Sequence, residues 1–301
     1  MKQTMLKTHG LTKKYGQFTA LNQASLTLEQ GDIYGLVGRN GAGKTTFFKC
    51  VMGLAKPTAG EIEIGGSSAN LNEARQQIGF MINAAFFPYL NPKQNLEYLA
   101  MIKGITDKGE IERLLKLVQL DGVKKPFKAF SMGMKQRLGL AAALMGRPPI
   151  VVLDEPINGL DPQGIADIRN ILQLENEKNG TTFIVSSHIL SELDLVATRF
   201  GFIEQGNLVK EISHTELHEH TKKALVIEVD DGQKALAVLQ SKFGITDVSV
   251  DGNKLVLESN VEKSNVIARA LFNEGLELFR LSPQETTLEE YFMGLVGGQN
   301  V

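Results

Sequence analysis

A compact apolar run, residues 32–38 (DIYGLVG), leads straight into Gly38-Arg39-Asn40-Gly41-Ala42-Gly43-Lys44-Thr45-Thr46, which opens onto a helical run, FFKCVMGL. No other stretch limits the fold as tightly. The loop satisfies G-x-x-x-x-G-K-[ST], and it sits between a strand and a helix, the only setting in which that spacing has a mechanism. Glycines let consecutive backbone N–H groups turn inward around phosphate oxygens, and the start of the following helix adds partial positive charge. Lys44 is placed to reach β- and γ-phosphates, and the Thr45 hydroxyl to bind Mg²⁺. An α/β architecture around a nucleoside triphosphate is therefore expected.

The rest of the first 210 residues keeps that rhythm. Residues 150–156 (IVVLDEP) and 181–187 (TTFIVSS) are apolar runs of the kind found when helices cover both faces of a mostly parallel sheet. Upstream, THGLTKKYG and ALNQASLTLEQ alternate apolar and polar positions and read as an antiparallel patch feeding the first parallel strand. Helical spacing over 93–119 and 133–146 predicts a helix-rich subdomain at about 85–146. At the end of the 150–156 strand, Asp154 emerges where open α/β sheets place ligands, suited to hold Mg²⁺. Glu155, one residue on, is placed to polarise an attacking water.

With 301 residues, the chain has room for one full-size nucleotide-binding domain, 1–215, and a smaller one, 216–301. Between them, 211–222 (EISHTELHEHTK) is polar without a strand signal, and His214, His218 and His220 read as part of a solvated linker rather than as metal ligands. Beyond it come a strand (223–229), a helix (233–243), a strand (246–250), a turn at Asp251-Gly252 or Gly252-Asn253, a strand (254–258), a helix (261–275) and a strand (276–282). That order, β-α-β-β-α-β, is the split βαβ arrangement. A turn led by Pro283 and a last amphipathic helix over 286–296 follow.

Composition narrows the class further. The chain is 43% hydrophobic and 22% charged, too apolar for a disordered protein. Thirty-two Lys+Arg against 34 Asp+Glu leave a formal charge of -2, which argues against a nucleic-acid coat. The single cysteine, Cys50, excludes an internal disulfide framework and agrees with a reducing cytosol. No run approaches the roughly 18 apolar residues of a membrane span, and MKQTMLKTHG has no apolar signal core, so a cytoplasmic chain is expected, held at a membrane only through a partner.

Residues 130–138, Phe130-Ser131-Met132-Gly133-Met134-Lys135-Gln136-Arg137-Leu138, open a helix ahead of the carboxylate strand. The Ser131 side chain and the Gly133 N–H at a helix N-terminus make a second anion site. This segment resembles the signature motif of the ATP-binding subunits of ABC transporters, in the S-x-G-M-x-Q-R form of many drug and peptide exporters. In that family the motif closes over the γ-phosphate held by a second subunit, so Ser131 and Gly133 are expected to act in trans. Further positions match one by one: Tyr15 is similar to the aromatic that stacks on adenine, Asn158-Gly159-Leu160-Asp161-Pro162 resembles the D-loop at the dimer interface, and His188 in Ser186-Ser187-His188 looks like the switch histidine that contacts the γ-phosphate. One position departs. Where the family carries Gln, which senses Mg²⁺ and contacts the transmembrane subunit, this chain has Asn83. Asn is one methylene shorter, so Asn83 is expected as a coupling residue with a water between it and the metal. The aromatics at 86–89 fit either a docking surface for a membrane subunit or local core, and Met132, Met134 and Met145 read as packing or interface positions.

The resemblance covers residues 1 to about 215 densely, and the closing TTLEEYFMGLVGG is similar to the C-terminus of bacitracin-resistance ATPase subunits. It implies an ATP- and Mg²⁺-dependent ATPase that pairs with a second, identical subunit and drives a separate permease exporting an amphipathic or antimicrobial peptide or hydrophobic drug. Its place would be the cytoplasmic face of the bacterial cell membrane. Glu155 would be the base, His188 the γ-phosphate sensor and Lys44 the phosphate ligand, with the small C-terminal domain contacting its twin or regulating the dimer. A soluble ABC ATPase working on ribosomes or DNA is the alternative, but such proteins fuse two cassettes or insert a long coiled coil, and no heptad run is present. A P-loop kinase or GTPase would leave the 130–138 helix unexplained.

Overall fold

The computed structural model describes residues 2–82, 86–220, 223–246, 248–257, 261–285 and 288–297. The chain divides into two compact units, Met1–His214 and Thr215–Val301.

The first unit begins with a hairpin, β1 (Thr4–Tyr15) and β2 (Phe18–Glu29), closed by the pair Tyr15 and Phe18. It continues through β3 (Ile33–Val37), α1 (Lys44–Val51), β4 (Ala59–Ile64), α2 (Leu71–Gln76) and β5 (Ile78–Met81). Three helices follow: α3 (Pro92–Ile102), α4 (Lys108–Leu117) and α5 (Met132–Leu144). Then come β6 (Ile150–Leu153), α6 (Pro162–Asn179), β7 (Thr182–Ser187), α7 (Leu190–Asp194), β8 (Arg199–Glu204) and β9 (Asn207–Ser213). Strands β2, β1 and β4 make the antiparallel patch, and the main sheet runs β5-β6-β7-β3-β8-β9, parallel until β9 reverses against β8. Strands β3, β6 and β7 are buried at every position, as helices on both faces require. Because they are parallel and neighbours in the order β6-β7-β3, their carboxyl ends deliver Gly38, Asp154 and His188 to one edge of the sheet.

Helix boundaries follow side-chain chemistry. The continuous helical pattern over 93–119 is two helices, broken at Gly104 (φ 67°) and restarted where the Asp107 carboxylate accepts from Gly109 N–H. Asn91 and Gln94 form a reciprocal capping box on α3. Asp161, expected in the D-loop segment, caps α6 with Pro162 in its first turn, and Gly180 closes that helix in the left-handed region. Arg113 of α4 donates to both oxygens of Glu110 (2.8 and 2.9 Å) and to Glu175 of α6 (3.2 Å). Both carboxylates are buried. Burial alone would raise the Glu110 carboxyl, but the Arg113 hydrogen bonds, the Gly146 N–H and the nearby guanidinium charges hold it below the ordinary carboxylate range. Arg113→Ala strands two buried carboxylates and is expected to cost about 3 kcal/mol in urea unfolding at neutral pH. Since the folded pKa of Glu110 is depressed, its stabilisation is present above the ordinary range and is lost as pH falls through the folded value. Acidification should therefore narrow the gap between wild type and Arg113→Ala.

The boundary between the units falls at the first residue of α8 (His214–His220), and the second unit goes on through β10 (Lys223–Val229), α9 (Gly232–Phe243), β11 (Val248–Asp251), β12 (Lys254–Leu257), α10 (Ser264–Asn273), β13 (Leu278–Glu285) and α11 (Leu288–Gly297). Its strands form an antiparallel sheet in the order β11-β12-β10-β13. Leu225, Ile227 and Val229 of β10 and Leu255 and Leu257 of β12 face Leu239 of α9 and Ile267 and Leu271 of α10 in one core. Two expectations need correction. Residues 211–220 are the end of β9 and then α8, not a solvated linker, because Ile212 and Leu217 are buried and anchor an otherwise polar stretch. Pro283 lies inside β13 rather than leading a turn, which an edge strand tolerates because a missing N–H breaks no ladder there.

Candidate active site

At Gly38 and Gly43 the glycine loop is held by contacts that leave no room for a side chain. At Gly38, whose N–H donates to Ser187 O (3.3 Å), a Cβ would collide with the Ile203 carbonyl oxygen. Gly43 caps α1 at φ 115°, and a Cβ there would lie 2.7 Å from Ala20 O. Below the loop, Phe47 and Phe48 are fully buried and pin α1, each side chain stabilising by roughly 1.5–3 kcal/mol on burial. The loop walls a cleft of about 330 Å³ lined by Arg39, Asn40, Gly41, Gly43, Lys44, Thr45, Thr46, Glu155 and Phe18. Ala42 is buried behind it and donates its N–H to Arg39 O (3.1 Å). Lys44 reaches into the loop, where Nζ donates to Gly38 O (2.6 Å) and Arg39 O (3.2 Å) and pairs with Glu155 Oε1 at 3.0 Å.

Across the cleft, Asp154 follows β6 directly, its N–H donating to Met81 O (3.0 Å). Asp154 Oδ2 accepts from the Thr45 hydroxyl (2.7 Å) and Oδ1 from the Ser186 hydroxyl (2.8 Å). The predicted strand to residue 156 stops at Leu153, because Glu155 takes a left-handed backbone, φ 49°, that aims its side chain back at the loop. Glu155 Oε2 lies 2.9 Å from His188 Nδ1, which donates because a carboxylate oxygen can only accept. Glu155 Oε1 is buried and has no hydrogen-bond partner among the described residues, only the Lys44 ion pair. Behind His188, the Ser187 hydroxyl accepts from Ile189 N–H (3.0 Å) and donates to Glu192 (3.4 Å). Burial raises the Glu192 carboxyl, with the Ser187 bond and the His188 charge opposing and Glu155 adding to the rise.

At the start of α5, Ser131 Oγ accepts from Met134 N–H (3.3 Å), and a Cβ on Gly133 would meet only Leu160 Cδ2 at 3.7 Å, an ordinary contact. Neither residue lines the cleft. A family model described as ABC transporter matches residues 21–158, from before the loop to beyond Glu155. The chain is 39% identical over 99% of its length to the bacitracin transport ATP-binding protein BcrA of Enterococcus faecalis, covering 98% of that protein. It is 38% identical over 69% of its length to the lantibiotic transport ATP-binding protein SrtF of Streptococcus pyogenes, covering 90% of it. It superposes with TM-score 0.64 and 27% identity on the dimeric ATP-binding cassette MJ0796 bound to ADP and Pi, covering 70% of this chain and 99% of that one.

The chain belongs to the ABC transporter ATP-binding subunits. As such it binds ATP and is an ATP hydrolase coupled to transport, with the mixed-sheet fold of ABC cassettes. Within this ABC subunit the expected residues fall into two groups. Lys44, Thr45, Asp154, Glu155 and His188 converge at one end of the sheet; Ser131 and Gly133 at the start of α5 and the α6 cap Asp161 do not line the cleft. Tyr15 is half exposed, its ring 4.7 Å from the Lys13 ammonium, while Phe18, its partner across the hairpin, lines the cleft. Asn83 lies outside the described residues. The 86–89 aromatics divide: Phe86 lies tilted against Phe127 (5.1 Å) and Phe87 meets Tyr98 edge-on (4.7 Å), whereas Tyr89 is exposed. Sequence reasoning missed buried Asn95, which accepts from Phe87 N–H (2.9 Å) and donates to Leu90 O (3.1 Å), so that it shapes this loop. It also gave Ser186 and Phe18 no role of their own, because neither shows a purpose until the strands pair.

Proposed function

We propose that this chain powers export of an amphipathic or antimicrobial peptide, or a related hydrophobic compound, through a separate membrane permease. The observation that carries this reading is the similarity to the bacitracin transport protein along the whole chain, the C-terminal unit included. We assign Lys44 and the loop N–H groups to the β- and γ-phosphates and Glu155 to the attacking water as general base. His188, held on Glu155 at 2.9 Å, takes the γ-phosphate contact. Thr45 and Asp154, with facing oxygens 2.7 Å apart, are a hard-oxygen pair that fits Mg²⁺ and would hold it. Bound there, the ion supplies charge neutralisation at the phosphate oxygens.

Ser131 and Gly133 do not line the cleft formed by their own glycine loop, which supports a head-to-tail dimer in which each helix tip closes over ATP held by the other copy. Asp161 then belongs at the dimer interface, Phe18 joins Tyr15 as an aromatic available to the base, and Asn83 remains the coupling position toward the permease. The C-terminal unit is assigned an accessory role at the twin subunit. The reading places the chain at the cytoplasmic face of a bacterial membrane, peripheral through the permease. Among the described residues no helix is long and apolar enough to cross a membrane, so the transport path needs another chain.

Purification from detergent extracts is expected to recover a hydrophobic companion, and the reconstituted pair should hydrolyse ATP severalfold faster with bacitracin or a lantibiotic present. Recovery of ribosomal RNA or DNA in place of that companion, with turnover indifferent to every peptide tried, would overturn the proposal in favour of the soluble alternative.

A further inference from the structure

The apolar character of β7 (TFIVSS) is broken at its end by Ser186, and that residue is fully buried. A buried hydroxyl in a central parallel strand has to be satisfied by specific partners. Registry supplies them. Val185 pairs with Leu153 of β6, so Ser186 stands one step beyond the last paired residue, beside Asp154. Its Oγ donates to Asp154 Oδ1 and accepts from Glu155 N–H, both at 2.8 Å.

We propose that Ser186 is a positioning residue of the hydrolytic site, its one hydroxyl fixing the Asp154 carboxylate and the Glu155 backbone in a single arrangement. A carboxylate turns easily about its last torsion, which is broad and two-fold. With Oδ1 held by Ser186, Oδ2 is left facing Thr45. On the other side, Glu155 sits at φ 49°, a conformation that a non-glycine residue keeps only when its surroundings hold it. The bond from its N–H to Ser186 is such a hold, and it directs the side chain to Lys44 and His188. Ser187, next along, points to the opposite face and bonds Glu192, so the two serines do not substitute for each other. The inference rests on the roles proposed above for Asp154 and Glu155.

The test uses the full chain with its companion and compares Ser186→Ala, which removes both bonds, with Ser186→Thr, which keeps a hydroxyl in a residue suited to strands. Ser186→Ala is expected to lower kcat by about tenfold to a hundredfold while KM for ATP stays within about threefold. Its melting midpoint without nucleotide should stay within a few degrees of wild type, while the part of the ATP-induced midpoint shift that requires Mg²⁺ falls to about half or less. Ser186→Thr should recover most of both. A Ser186→Ala protein with unchanged kcat overturns the inference; so does one whose kcat, KM and melting midpoint decline together without rescue by Thr, which would mark a packing role only. Glu155→Gln is run alongside. If that variant turns over normally, the general-base reading has failed and the inference falls with it; if it is dead and Ser186→Ala is normal, only the inference is lost.

Discussion

Glu155→Gln is expected to lower ATP turnover by about a hundredfold or more while ATP still binds. General base catalysis is worth roughly 10² to 10⁴ in rate, and an amide cannot take a proton from water. Gln keeps the shape that the site holds. Its Oε can still accept from His188 Nδ1, and the backbone at φ 49° is unaffected by the exchange. Electrostatics favours binding in the variant. In the wild-type structure Lys44 is paired with Glu155 Oε1 at 3.0 Å, and removal of that negative charge frees the ammonium for phosphate. Phosphate release measured beside equilibrium ATP binding checks both halves. The same variant should accumulate as an ATP-bound dimer in sizing chromatography. Normal turnover would remove Glu155 from the role, and a strictly monomeric ATP-loaded variant, even with its membrane companion, would remove the trans arrangement of Ser131 and Gly133.

How much of this site could be read from the sequence depended on how far apart its partners lie. The loop was legible because strand, glycines, lysine and helix are consecutive, and each demand acts on the residue that carries it. Gly38 and Gly43 are glycines for steric reasons that a motif already encodes, although the Ile203 and Ala20 carbonyls that enforce them are not visible in it. Ser186 was legible only as part of a serine-serine-histidine string, since its two partners are 32 and 31 residues away and meet it only through strand pairing. Arg113 and Glu175 are separated by 62 residues and by several elements, so no local pattern could join them. The polar stretch 211–220 misled for the opposite reason. Local composition outweighed two apolar anchors, Ile212 and Leu217, that decide the fold once they are buried. Pro283 failed likewise, because whether proline ends a strand depends on the strand being central or at an edge, and that is set by the whole sheet.

Lys44→Ala should abolish ATP binding in the working concentration range, lowering affinity by roughly a hundredfold or more. The Lys44 side chain is 6% exposed, and its ammonium is already placed by two carbonyl acceptors, Gly38 and Arg39, and by the ion pair with Glu155. Little rearrangement is therefore needed for it to meet phosphate oxygens, and charge-assisted hydrogen bonds of that kind contribute about 1.5–3 kcal/mol each. Losing two corresponds to a drop of between two and four powers of ten. Lys44→Arg should not restore binding, because a planar guanidinium is a poor replacement for a compact point charge in a loop this closely fitted. Folding is the counter-effect to separate. Alanine leaves Glu155 without its cation, but that side chain keeps 21% exposure and its His188 contact, so the melting midpoint should move far less than affinity does. Calorimetric ATP titration with thermal unfolding distinguishes the two. If Lys44→Ala binds ATP within a few-fold of wild type, the loop's lysine is a structural counterion to Glu155. The double variant with Glu155→Gln would then show the pair's coupling in the melting midpoint and none in affinity.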